Sequence, residues 1–150
     1  MDISYKFATN EDLEFLVDMR IRDLKMFSNK KVDDKTIQNI REFYYSKIVK
    51  NECFTLLGIS NNKVIATATI YYYDILLSNE NSKGKVGQIT NVWVSEEFRK
   101  QGIAAYMIKR LINISRDNVG MICLNSSKDA LKLYNKIGFI KKDNYLIYNL

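Results

Sequence analysis

The chain has 150 residues and a mass of 17.5 kDa, the size of one ordinary domain. It contains no histidine and two cysteines. That excludes Ser-His-Asp and Cys-His nucleophile arrangements, His-bearing metal sites, a Cys-only zinc site and a disulfide framework, so no metal is expected. Lys and Arg number 23 against 17 Asp and Glu, a net charge of +6 and a pI near 9.2; the excess favours an anionic partner without distinguishing nucleic acid, membrane or a phosphorylated cofactor.

A composition of 47% hydrophobic and 27% charged residues supports a buried core. No secretory pattern opens the chain, and the longest apolar run, Val64 to Tyr73, is too short to span a bilayer. Cys53 and Cys123 sit in apolar runs and read as buried, reduced thiols. The expectation is a single cytoplasmic domain over residues 1–150, with no membrane partner.

Ile3 to Phe7 alternates as a first strand. Thr9-x-x-Asp12 is a capping signature, and Leu13, Leu16, Val17, Ile21 and Leu24 follow at helical spacing, giving a helix from Asn10 to about Phe27. Asp33-Asp34 precede a second helix, Thr36 to Val49, whose apolar face includes Ile37, Ile40, Tyr44 and Ile48. Phe54–Ile59 and Lys63–Leu77, rich in β-branched and aromatic residues, form a hairpin about Asn61-Asn62. Alternation sends Tyr71 and Tyr73 to one face and Tyr72 to the other. Residues Ser78 to Lys85 read as an exposed polar loop, and Val86 to Val94 as a long strand.

Ile103, Met107, Leu111 and Ile114 share one helical face. Met121 to Leu124 is a short buried-type strand. Ser126-x-x-Asp129 opens a last helix through Ile137, closed by Gly138, and Phe139 to Leu150 reads as a terminal pair of strands. The order β-α-α-β-β-β-α-β-α-β-β implies an α+β fold: a mixed sheet with helices on its faces.

Two segments carry candidate chemistry. In Arg99-Lys100-Gln101-Gly102-Ile103-Ala104 a strand gives way to a helix start. Unpaired N–H groups, a positive dipole end, two small residues and two cations suit a pyrophosphate there. Neither a Walker A ending nor a Gly-x-Gly-x-x-Gly pattern is present. The bland reading is tight helix packing beside a solvated loop. The second segment, Ala130 to Phe139, places Ala130, Leu133, Tyr134 and Ile137 on one face, where a lone Tyr134 reads first as core.

Together the two segments resemble the GNAT superfamily of N-acetyltransferases. Arg99-x-x-Gly102-x-Ala104 matches its Gln/Arg-x-x-Gly-x-Gly/Ala acyl-CoA motif, and Leu133-Tyr134-x-Lys136-x-Gly138-Phe139 is similar to its later Leu-Tyr-x-Lys-x-Gly-Phe motif. The resemblance implies a three-layer fold with a mostly antiparallel mixed sheet splayed between the fourth and fifth strands. It implies acetyl-CoA in that opening, the backbone of Val92 and Val94 pairing with the pantetheine arm, and the N–H groups of Gln101, Gly102, Ile103 and Ala104 on the pyrophosphate. Arg99 or Lys100 would meet the nucleotide phosphates.

Where the family often has Asn, this chain has Ser127; Ser127 or nearby Asn125 would contact the cofactor. The implied reaction is direct attack of a primary amine on the thioester, with Tyr134 as the acid. Asn91 is a candidate to orient the amine or a water, and Arg20 a candidate to hold an acceptor carboxylate, although Arg20 reads first as a surface salt-bridge partner. The acceptor, a small-molecule or peptide amine, is not selected, and the chain is expected to be a monomer or homodimer. The rival readings are a non-catalytic acyl-CoA-binding module and a basic nucleic-acid-binding protein, the latter resting on net charge and on Lys128, Lys132 and Lys136 at helical spacing.

Overall fold

The computed structural model describes residues 2–28 and 31–150. Five strands form one sheet in the order β1-β2-β3-β4-β5: β1 (Ser4–Phe7), β2 (Cys53–Ser60), β3 (Lys63–Asp74), β4 (Lys85–Val94) and β5 (Met121–Leu124). The first four pair antiparallel, and β5 runs parallel to β4. Four α-helices complete the fold: α1 (Leu13–Phe27), α2 (Asp34–Val49), α3 (Ile103–Ser115) and α4 (Leu131–Ile137). None is long and apolar enough to cross a membrane.

Local chemistry sets the boundaries. Thr9 and Asp12 form a reciprocal capping box ahead of α1, and the Asp33 carboxylate accepts from the Thr36 N–H to start α2. The two-residue loop between β2 and β3 places both Asn61 and Asn62 at positive φ, 49° and 61°, as the tight hairpin twist requires. Strand alternation then sorts side chains onto two helical layers. Leu56, Ile70, Tyr72 and Ile89 pack on one face with Ile103, Met107, Ile108 and Leu111 of α3. Cys53 and Tyr71 pack on the other with Leu16 and Val17 of α1 and Tyr44 of α2. Each fully buried aliphatic contributes about 1.5–3 kcal/mol, so both layers are held by many comparable contacts. As expected, Tyr72 faces away from Tyr71 and Tyr73; its hydroxyl meets Ser115 Oγ at 2.7 Å.

Four expectations are corrected. The terminal strand pair does not form: 139–150 contains no strand. Phe139 packs edge-on against Tyr134, Lys142 reaches Glu80 at 2.6 Å, a turn follows at 143–144, and Leu146, Tyr148 and Leu150 stand exposed. The arms flanking that turn are a few residues each, too short to hold as an isolated hairpin. The 78–85 loop is not uniformly exposed, because Asn81 is 1% exposed and donates through Nδ2 to the Lys85 carbonyl at 2.9 Å. The last helix begins at Leu131 rather than at the Ser126 signature; the hydroxyl that caps the preceding turn is Ser127's. Of the two thiols, Cys53 is buried but Cys123 only half-buried, donating to Gln88 Oε1 at 3.0 Å.

Two outcomes are expected. A Cβ on Gly120 would lie 1.9 Å from Asn81 Oδ1, which is pinned beside it. Gly120→Ala should therefore destabilise by about 1–3 kcal/mol, read as a fall of several degrees in Tm. Burial pushes the Cys53 thiol up to about 12, so it remains protonated at pH 8. Thiol titration of the native protein at that pH should give one reactive group, with the second appearing on denaturation.

Candidate acyl-CoA site

The site is built where β4 leaves β5. Their pairing covers Val86 to Ile89 against Met121 to Leu124 and stops there. Beyond it β4 carries one extra residue against β3: Thr90 pairs with Thr69 and Trp93 with Thr67. Asn91 occupies this bulge at φ +52°, a conformation asparagine tolerates better than most residues. Its carbonyl accepts from Thr67 Oγ1 at 2.9 Å. The Ser95 N–H is directed at the Ile65 carbonyl of the neighbouring chain stretch. Alternation therefore turns the main-chain groups of Val92 and Val94 toward the side β5 has vacated.

A short turn, Glu96–Phe98, and Arg99-Lys100-Gln101 then lead into α3. Its N-cap is Gly102 at φ +79°, with no side-chain cap, so the first N–H groups of the helix are free. A Cβ built on Gly102 meets nothing within 4 Å; the glycine serves the backbone conformation and leaves open space. That space is a cavity of about 190 Å³ lined by Val94, Phe98, Arg99, Lys100, Gly102, Ile103, Ala104, Ala105 and Leu133. It combines an uncapped helix N-terminus with two adjacent cations, a receptor for a polyanion. A larger cavity, about 370 Å³, lies at the opposite end of the strands among Lys50, Glu52 and Lys85. There Lys85 is already paired with Glu52 at 3.0 Å, and none of the sequence-predicted residues is present.

Six of the predicted residues thus share one cavity: Val94, Arg99, Lys100, Gly102, Ile103 and Ala104. Arg99 also has a structural task, its Nε donating to the Val94 carbonyl at 3.0 Å. Gln101 lies outside the lining, with Nε2 on the Glu97 carbonyl at 3.4 Å. Val92 is half-buried against the α3-side core. Ser127 Oγ accepts from the Ala130 N–H at 3.3 Å, and Asn125 is exposed at the end of β5.

Tyr134 is 7% exposed and sits on α4 beside the lining residue Leu133. Its hydroxyl makes no hydrogen bond among the described residues. The one fully buried, unpartnered side-chain atom among them is Asn81 Oδ1, so the phenol retains access to solvent. Burial raises its pKa, which keeps it protonated at neutral pH.

On the opposite face of the sheet, Arg20 of α1 and Asn91 come together across 71 positions: Arg20 Nη1 donates to Asn91 Oδ1 at 3.1 Å. Arg20 makes no ion pair among the described residues, so the surface salt bridge expected for it is absent. Asn91 Nδ2 in turn donates to the Tyr44 hydroxyl at 2.8 Å. Sequence reasoning read Tyr44 only as core. Its ring is core, and no spacing signal reveals that its hydroxyl meets a strand bulge. Phe98 and Ala105, each next to a motif residue, and Leu133, which opens the second motif, were likewise not singled out for the cavity.

The comparisons agree with this geometry. The sequence profile of the acetyltransferase (GNAT) family matches residues 16–139. No curated protein sequence matches the chain. Among solved structures, a predicted acetyltransferase from Clostridium acetobutylicum, crystallised with acetyl-CoA, is similar at 30% identity and a TM-score of 0.87, over 99% of this chain and 96% of that one. A GCN5-related N-acetyltransferase from Ralstonia eutropha shares the fold at 16% identity and a TM-score of 0.77, over 99% of each chain. An aminoglycoside N-acetyltransferase in complex with CoA does so at 13% identity and a TM-score of 0.72, over 99% of this chain and 95% of that one. The profile match covers most of the chain and spans the β4 bulge, the α3 cradle and the α4 tyrosine: the protein belongs to the GNAT acetyltransferase family.

Proposed function

We propose that the protein transfers an acetyl group from acetyl-CoA directly to a primary amine. The observation that carries this reading is the uncapped N-terminus of α3, opened by Gly102 into a cavity beside the unpaired edge of β4. The fit is chemical: a pyrophosphate matches free N–H groups and the positive end of a helix, and an extended amide chain matches a strand edge. The similar protein from Clostridium acetobutylicum was crystallised with acetyl-CoA, which supports the choice of donor.

Acetyl-CoA supplies an activated thioester; the residues of this chain bind, orient and handle protons. The N–H groups of Gly102, Ile103 and Ala104 hold the diphosphate, with Gln101 at the edge of the cradle and Lys100 and the remaining donors of Arg99 adding positive charge. Main-chain groups of Val92 and Val94 align the pantetheine arm, and Ser127 or Asn125 contacts it from the other wall. The Val94 N–H polarises the thioester carbonyl and steadies the developing oxyanion.

The Tyr134 hydroxyl gives its proton to the departing thiolate, for which a phenol of comparable basicity is suited. The amine enters from the α1/α2 face, past Arg20 and Asn91, and must arrive as the free base. With histidine absent, its proton leaves through water or a carboxylate.

Tyr134→Phe should lower turnover by about 100-fold or more while leaving the CoA-induced rise in Tm intact. Unchanged turnover in the folded variant would remove Tyr134 from the chemistry. Gly102→Val should cost about 1–2 kcal/mol of stability at its left-handed backbone position and abolish the Tm rise with CoA. A normal rise in a folded G102V protein would place the diphosphate elsewhere.

A further inference from the structure

We infer that the acceptor amine carries a carboxylate, as an amino acid does, and that Arg20 is the residue that holds it. The inference rests on the acetyl-transfer reading above and names the substrate class of that site.

Arg20 is half-buried on α1, facing the sheet. Its contact to protein is with a neutral amide, Asn91 Oδ1, and no carboxylate lies within ion-pair distance among the described residues. A half-buried guanidinium that lacks a contact ion pair has donors to spare, and its planar fork is shaped for a bidentate carboxylate. With Nη1 directed to Asn91, the remaining N–H donors are free to grip one.

The surroundings hold the cation in place, and no carboxylate closes on it as an ion pair among the described residues. Asn91 is 9% exposed, and both ends of its amide are fixed, Nδ2 to the Tyr44 hydroxyl and Oδ1 to Arg20. The flipped amide would set an NH₂ group against the guanidinium, so the orientation is determined. The phenols of Tyr44, on α2, and Tyr71, on β3, both feel the Arg20 charge. Asp23 and Arg22 are the other charged groups there. Asp23 interacts with both arginines but reaches ion-pair distance of neither, and Arg22 is exposed. Beside them the Tyr71 and Phe43 rings meet edge-on, with centroids 5.1 Å apart.

Position supplies the functional link. Asn91 is the bulge residue immediately before Val92, where β4 has parted from β5. Arg20 is therefore bonded to the strand segment proposed to align the thioester, from the face opposite the α3 cradle. An acceptor anchored there by its carboxylate presents its amine at the gap between the strands. An unsubstituted or polycationic amine would be repelled by the same charge.

The test is thiol release from acetyl-CoA by the protein, offered the standard amino acids, their carboxamides and simple aliphatic amines. For the best acceptor, kcat/KM should be at least 10-fold higher with the carboxylate than with its carboxamide. Arg20→Gln should bring that ratio to about 1, while the Tm rise with CoA stays as in the parent. Arg20→Lys, which keeps the charge without the fork, should retain part of the preference and guards against a folding defect in R20Q.

Equal or better use of uncharged or polycationic amines would overturn the inference, as would a preference that survives in R20Q, or no turnover of any carboxylate-bearing amine. Loss of the CoA-induced Tm rise in the parent protein itself would instead overturn the acetyl-CoA reading on which the inference stands.

Discussion

The separation of β4 from β5 is the constraint on which the rest of the site depends. Four residue pairs hold the strands together, and the remaining five positions of β4, Thr90 to Val94, have no strand partner on that side. Such a row of N–H and C=O groups without a strand partner is a template for pairing with another extended chain. The Asn91 bulge makes the parting permanent, because the extra residue bends β4 and is locked by Thr67, Tyr44 and Arg20. Three elements, β3, α2 and α1, thus converge on one residue. Closing the gap would require breaking all three contacts and removing a residue from the strand.

The opening takes its chemical character from what flanks it. On one face, α3 points its free N-terminus into the cavity, and its apolar side is anchored by Met107, Ile108 and Leu111, each fully buried. The cradle is therefore set by a rigid helix and not by a loop. On the other face, α1 and α2 carry aromatic rings and Arg20. In the proposed reaction, donor and acceptor would approach from opposite sides of the sheet and meet at the strand edge. The overall net charge of +6 is consistent with an anionic ligand on each side. Lys128, Lys132 and Lys136 lie on an exposed stretch at α4 and are not part of the cavity lining.

Much of this was legible in the residues. The capping pairs at Thr9/Asp12 and Asp33, the Asn61-Asn62 turn and the alternation of Tyr71 to Tyr73 are local rules, and each held because no tertiary contact opposes it. The helix start at Gly102 was legible because a glycine followed by an apolar helical face marks a boundary, and the structure places it at the N-cap at φ +79°.

What escaped the sequence was decided by contacts between distant segments. Tyr44 reads as core from helical spacing, and only the fold brings its hydroxyl to Asn91. Asn81 lies in a polar run that predicts exposure, but the absence of a side chain at Gly120 gives it a pocket. The 139–150 segment carries a strand pattern, yet a pattern without an adjoining edge makes no ladder. Leu146 and Tyr148 remain in solvent for that reason.

The most direct test of the central claim is a crystal structure of the protein with acetyl-CoA bound. The account predicts diphosphate oxygens within about 3 Å of the N–H groups from Gly102 to Ala104 and the pantetheine arm lying along Val92 to Val94. A nucleotide lodged in the Lys50–Lys85 cavity, or an α3 N-terminus closed to the diphosphate, would contradict it.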